Sequence, residues 1–189
     1  MLKKEIEILD KFIKNYEIKI NQNSNFNLSN KDIENKLSIH EYKKLLNTHT
    51  DISKARDIYE NDNRIFLDRN DYHFLELKSN LTKLLNLSLQ DTGFYLYPPF
   101  SYCGWHTNSD DEGHRIYYVY SMEENKSFFR SIDNGNIITK YDKLGWNKNE
   151  FDLYKNVDKL NWHCIGSYTN RLSIGFTILE NQKTKATLL

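Results

Sequence analysis

"GFYLYPPFSYCGWHTNSDDEG", residues 93–113, is the stretch whose reading decides the fold. An aromatic run with strand character stops at Pro98-Pro99. It resumes as Ser-Tyr-Cys-Gly-Trp-His-Thr-Asn and ends in a turn-like acidic segment. Aromatic runs bounded by proline and glycine read as short strands. Residues i and i+2 of a strand face the same way. His106 and Asn108 are therefore expected on one face, with Trp105 and Thr107 on the other. A His followed two residues later by an oxygen donor is one way to hold a metal, and Asn108 stands where an acid is usual.

Working outward, the downstream sequence keeps this character. About eight short runs alternate with turn signals, at 93–98, 102–108, 115–122, 127–133, 136–142, 149–154, 160–166 and 171–179. "IDNGNII" (132–138) is a hairpin signal, because Asn-Gly suits the primed turns of twisted strands. Eight short strands without an intervening helix predict a closed barrel or jelly roll. Upstream, residues 1–90 read as helical. Apolar residues at 2, 6, 9, 12, 13 and 16 form a helical stripe. "SNFNLSN" (24–30) interrupts it. Ser38-Ile39-His40-Glu41 has the form of a capping box opening "EYKKLLNTHTDISKARDIYE" (41–60), and "DYHFLELKSNLTKLLNL" (71–87) is a third helix. The fold class expected is α+β, with the helices covering one side of the sheet. Neither half buries its apolar face alone, so residues 1–189 are expected to form a single domain, a helical cover (1–90) on a jelly-roll core (93–179).

Composition narrows the function classes. The 189 residues include 26 basic and 26 acidic side chains, so no charge excess points to nucleic acid or an anionic membrane surface. No apolar run approaches the roughly 18 residues of a membrane span. The N-terminal stretch has acids among its apolar residues, unlike a signal peptide. The two cysteines, Cys103 and Cys164, show no disulfide-framework spacing, which implies a reducing cytoplasm.

The second candidate ligand is His163 in "KLNWHCIGSYTNRLSIGF" (159–176), on the penultimate strand. In a jelly roll an early and a late strand can face the same interior. Arg171 follows eight residues later, with Ser173 on its side of the last strand. A buried Arg needs an anion, and its fork suits a carboxylate, to which Ser173 can add a hydrogen bond. A buried acid such as Asp152 is the alternative partner. Trp105 and Trp162, each next to a candidate ligand, should face the helices.

His-x-(acid position) on an early strand, a distal His, then Arg-x-Ser resembles the Fe(II)- and 2-oxoglutarate-dependent oxygenases. The aromatic strand, proline break and Gly-Trp-His resemble the prolyl-hydroxylase-like members with a double-stranded β-helix. The resemblance covers roughly residues 93–179. It implies iron bound by His106 and His163, with Asn108 at the triad's third position. It also implies the distal carboxylate of 2-oxoglutarate on Arg171 and Ser173, with a phenol hydrogen bond from Tyr95 or Tyr97. O₂ would be the oxidant and hydroxylation of a small-molecule or peptide substrate the reaction. Asn108 departs from the family pattern: without the carboxylate the protein's ligands leave Fe(II) a unit more positive and bind it less tightly. Asn108 itself, a water, or Asp110 folding back could fill that position. Two rivals remain: a non-catalytic jelly-roll module with a degenerate metal site, and a cupin-like metal enzyme that does not use 2-oxoglutarate.

Overall fold

The computed structural model describes residues 1–20, 27–48, 62–108, 112–156 and 159–179. Four helices are present among these residues: α1 (Lys3–Ile20), α2 (Asn30–Lys36), α3 (Ile39–Thr48) and α4 (Tyr72–Leu85). Nine strands accompany them: β1 (Ile65–Phe66), β2 (Ser88–Tyr97), β3 (Ser101–His106), β4 (Gly113–Ser121), β5 (Ser127–Asp133), β6 (Asn136–Tyr141), β7 (Gly145–Leu153), β8 (His163–Ser167) and β9 (Arg171–Leu179). They form two antiparallel sheets, ordered β1-β2-β9-β4-β7 and β3-β8-β5-β6. No helix among the described residues is long and apolar enough to cross a membrane.

Local chemistry explains the elements. Leu9, Phe12 and Tyr16 are the buried stripe of α1, and Phe74, Leu77 and Leu81 that of α4, both at helical spacing. Asp71 caps α4 by accepting the His73 N–H at 2.9 Å, and Asn86 ends it in the left-handed conformation (φ 53°). The β5–β6 hairpin turns at Asn134 and Gly135, both with positive φ (48° and 77°), as primed turns require.

Each of the eight expected runs overlaps a strand, but the halves divide less cleanly than residues 90 and 93 suggested. β2 begins at Ser88, and the two-residue β1 lies within the helical half, where it pairs with β2. A strand that short carries no alternation to read. Residues 27–29 of the expected interruption at 24–30 carry no helix, 24–26 lie outside the described residues, and an unforeseen helix, α2, follows from a capping box of Ser29 and Asp32. Ser38 accepts the Glu41 N–H at 3.3 Å at the start of α3. Beyond Thr48, the rest of that expected helix lies outside the described residues.

The helices also cover two faces instead of one. α1 and α4 pack on the outer face of the five-stranded sheet, against Phe94, Leu96, Ile116, Tyr118, Leu172, Ile174 and Phe176. α2 and α3 pack on the outer face of the four-stranded sheet, against Tyr102, Trp105, Phe128, Trp162 and Cys164. Trp105 donates to the Ser38 carbonyl at 3.1 Å, and Tyr42 lies between Trp105 and Trp162, with ring centroids 5.5 Å from each. Both tryptophans thus face the helices as expected. The two inner faces are left for a cavity.

Candidate functional site between the sheets

Strand alternation builds the cavity wall. Tyr95 and Tyr97 of β2, Tyr117 and Val119 of β4, Asn149 and Phe151 of β7, and Arg171 and Ser173 of β9 line one side; His106, Phe129, His163 and Ile165 line the other. The space between them is about 150 Å³. Gly175 contributes by what it lacks. A Cβ there would come within 2.4 Å of the Tyr117 ring, so glycine lets that ring lie across β9.

His106 and His163 are direct cross-strand partners on β3 and β8, with ring centroids 4.2 Å apart. Each Nδ1 lies 2.7 Å from a backbone carbonyl, that of Gly104 for His106 and that of Asn161 for His163. A carbonyl can only accept, so each Nδ1 carries the proton and each Nε2 keeps its lone pair. Phe129 stacks on the His163 ring at 5.3 Å and Phe151 lies 5.5 Å away. Burial drives both imidazoles toward the neutral form. His163 falls to about 4, with Arg64 and Arg115 adding to the effect of burial against its backbone hydrogen bond. His106 falls well below its usual value through burial and the neighbouring His163. Two neutral, buried imidazoles with lone pairs on Nε2 thus line the cavity.

Asn108 reaches this pair by a different route from the one expected. β3 ends at His106, and Asn108 is left-handed (φ 51°), so it shares no strand face with His106. Its Nδ2 nevertheless lies 3.2 Å from His163 Nε2 and donates to it. Asp110 lies outside the described residues. Among those described, no three His, Cys, Asp or Glu side chains cluster closely enough to hold a metal.

The same strand end alters Cys103. A register shift between Cys103 and His106 turns Cys103 inward, beside Tyr97 and Ile165 and 3.6 Å from His106 Nδ1. Burial pushes its thiol up to about 12, so it stays protonated and a poor nucleophile.

Arg171 is 1% exposed, and its Nε donates to Asp142 Oδ2 at 2.9 Å. Ser127 Oγ donates to the same oxygen at 2.7 Å. The acid is therefore Asp142, not Asp152, which pairs instead with His114 at the surface (2.8 Å). The pairing leaves Arg171 Nη1 buried with no hydrogen-bond partner. The guanidinium carbon lies 5.1 Å from the centre of the Tyr97 ring, and Ser173 is buried on the same face. The Tyr97 phenol is pushed far up by burial. Tyr95 turns its hydroxyl toward the Thr92 carbonyl at 3.5 Å and carries the Arg64 guanidinium 4.1 Å above its ring.

Two functional-looking residues had no sequence signal. Arg64 precedes the two-residue β1, and Asp142 sits in "YDKLGW", where an acid reads as a turn residue.

No protein-family model matches the chain, and no curated protein matches it. Similar solved structures include a Trichoplax adhaerens prolyl hydroxylase in complex with a hypoxia inducible factor oxygen degradation domain peptide fragment. It is 13% identical, with a TM-score of 0.46 over 98% of this chain and 82% of that one. A Burkholderia pseudomallei oxidoreductase of the 2OG-Fe(II) oxygenase family is 10% identical, with a TM-score of 0.42 over 76% and 78%. The Schizosaccharomyces pombe Cnp3 cupin domain is 11% identical, with a TM-score of 0.28 over 53% and 66%. Overlaps this distant carry no inference about the site.

Proposed function

We propose that the chain is an Fe(II)- and 2-oxoglutarate-dependent oxygenase on a double-stranded β-helix, its helices and sheets acting as one domain. One observation carries the reading. Two facing, neutral imidazoles each give Nδ1–H to a backbone carbonyl, and the cavity they line also holds a guanidinium with a buried, unpartnered Nη1. The donor set fits the metal. Imidazole nitrogen suits iron among the first-row metals, and a carbonyl on the second ring nitrogen is the support that fixes a ligating tautomer.

In this reading His106 and His163 hold Fe(II) through Nε2. Asn108 offers its amide oxygen once its side chain turns over from its hydrogen bond to His163. Arg171 Nη1 and the Ser173 hydroxyl receive the distal carboxylate of 2-oxoglutarate, with Tyr97 beside them. Tyr95 is a lining residue that supports Arg64. Bound iron supplies activation of O₂ coupled to decarboxylation of 2-oxoglutarate, for hydroxylation of a small-molecule or peptide substrate. Phe129 and Phe151 exclude water from the histidine pair, and Asp142 orients Arg171.

Succinate formation tests the reading without a known substrate. With Fe(II), O₂ and 2-oxoglutarate, the wild type should release succinate slowly, and His106→Ala and Arg171→Gln should not. A wild type that neither binds nor converts 2-oxoglutarate refutes it.

One observation favours a metal-free binding module. The Asn108 amide occupies the lone pair of His163 that a metal needs. In that case the cavity serves an anionic ligand through Arg171 and has no use for iron.

A further inference from the structure

One end of the cavity holds two guanidiniums where a single carboxylate anchor needs one. Arg171 faces Tyr97 across the β2–β9 ladder. On the other flank of β2, Ile65 pairs with Leu96 and Phe66 with Tyr95, which brings Arg64 level with Tyr97. Arg64, Tyr97 and Arg171 therefore stand in one row, and all three line the cavity. Neighbouring strands lie roughly 4.8 Å apart, so the two arginines approach Tyr97 from either side. Both guanidiniums favour the ionised form of the Tyr97 hydroxyl, which burial outweighs.

Arg64 is also buried, its side chain 6% exposed and ion-paired through Nε to Asp62. Its guanidinium lies over the rings of Tyr95 and Phe66, at 4.1 and 5.2 Å. Asp62 bridges through its backbone to Cys103 of the opposite sheet, so Arg64 is fastened to both layers. Each arginine has its own aspartate, Asp62 or Asp142, and neither needs the other for charge balance. Between them lies the Tyr97 hydroxyl, which is buried with no hydrogen-bond partner among the described residues. A carboxylate has two oxygens with about four acceptor sites, enough to receive donors from both sides of the row.

Resting on the 2-oxoglutarate reading above, we infer that Arg64 is a second anchor for the distal carboxylate, which lies against Tyr97 between Arg64 and Arg171. Arg171 and Ser173 serve one oxygen, and Arg64 and Tyr97 serve the other. The site thereby selects dicarboxylic oxo acids over monocarboxylic ones of the same length.

The test uses the full chain and three probes: 2-oxoglutarate and 2-oxopentanoate with Mn(II), and glutarate without metal. Calorimetric titrations compare wild type, Arg64→Gln, and Arg64→Lys. An Asp62→Asn/Arg64→Gln double variant removes both charges together, in case a lone Asp62 impairs folding. Losing one charged hydrogen-bonding partner should weaken 2-oxoglutarate and glutarate by at least about tenfold, leave 2-oxopentanoate and Mn(II) affinities unchanged, and be partly restored in Arg64→Lys. Unchanged dicarboxylate affinity in both Gln-bearing variants overturns the anchor, as does an equal loss for 2-oxopentanoate. A wild type that binds glutarate in an Arg64-dependent way, yet binds no oxo acid with Mn(II), keeps the anchor and sinks the oxygenase reading. A wild type that binds neither dicarboxylate overturns both.

Discussion

Replacing Asp142 by Ala would remove the only carboxylate bonded to Arg171 among the described residues. The two side chains are 2% and 1% exposed, so the guanidinium left behind is cut off from bulk water and meets only the cavity. Ser127 loses the oxygen it donates to at 2.7 Å as well. Breaking one side of a buried ion pair costs about 3–5 kcal/mol, chiefly because the surviving charge is stranded. At about 2–4 °C per kcal/mol for a chain of this size, the melting temperature should fall by roughly 6–20 °C. The second arm replaces both partners, as Asp142→Leu/Arg171→Met. Apolar side chains of similar volume leave no stranded charge, so this variant should be more stable than Asp142→Ala despite carrying more changes. Urea denaturation at neutral pH, followed by far-UV circular dichroism, gives both free energies. A cost below about 1 kcal/mol for Asp142→Ala would refute the reasoning, because it would mean that water reaches Arg171. A double variant less stable than Asp142→Ala would refute it too.

Asn108→Asp puts a charged oxygen beside the histidine pair in a left-handed position that Asp tolerates, so Mn(II) should bind at least about tenfold more tightly; unchanged affinity, together with loss of binding in Asp110→Asn, would make Asp110 the third ligand. Glu5 is 1% exposed and accepts from the Leu2 N–H and the Tyr118 hydroxyl at 2.6 and 2.8 Å, with Lys148 at 3.1 Å. Burial raises its carboxyl, but these contacts prevail and hold it below the usual range. Its contribution is therefore present above a pH of about 4.5 and lost as the pH falls through the lowered folded value, so Glu5→Gln should flatten the acid limb of a stability–pH curve. Because α1 and α4 share a core with β2, β4 and β9, helix and sheet signals should be lost in one coincident urea transition; two separated transitions would divide the chain.

The strands were legible where period and turn chemistry agreed. Asn134-Gly135 marked its hairpin, and Tyr95, Tyr97, Arg171 and Ser173 alternate onto the cavity wall as a two-residue period requires. Alternation failed at the end of β3. The register shift after Cys103 turned that residue inward, and the left-handed Asn108 reaches His163 without sharing a strand face with His106; neither leaves a mark in a residue pattern. The two-sided cover was hidden because α2 has only seven residues, too few to display an apolar stripe. Arg171's need for an anion was readable from its type and strand, whereas the identity of Asp142 depended on how the chain turns after β6. Arg64 was beyond reach for the same reason, since its place in the row with Tyr97 comes from pairing and not from any local pattern.

The central claim is that His106 and His163 are a metal pair. Anaerobic equilibrium titration of Fe(II) into wild type, His106→Ala and His163→Ala tests it most directly, with folding of each variant checked by circular dichroism. The account predicts one Fe(II) site in the wild type, lost in both variants. Equal Fe(II) affinity in all three folded proteins would contradict it.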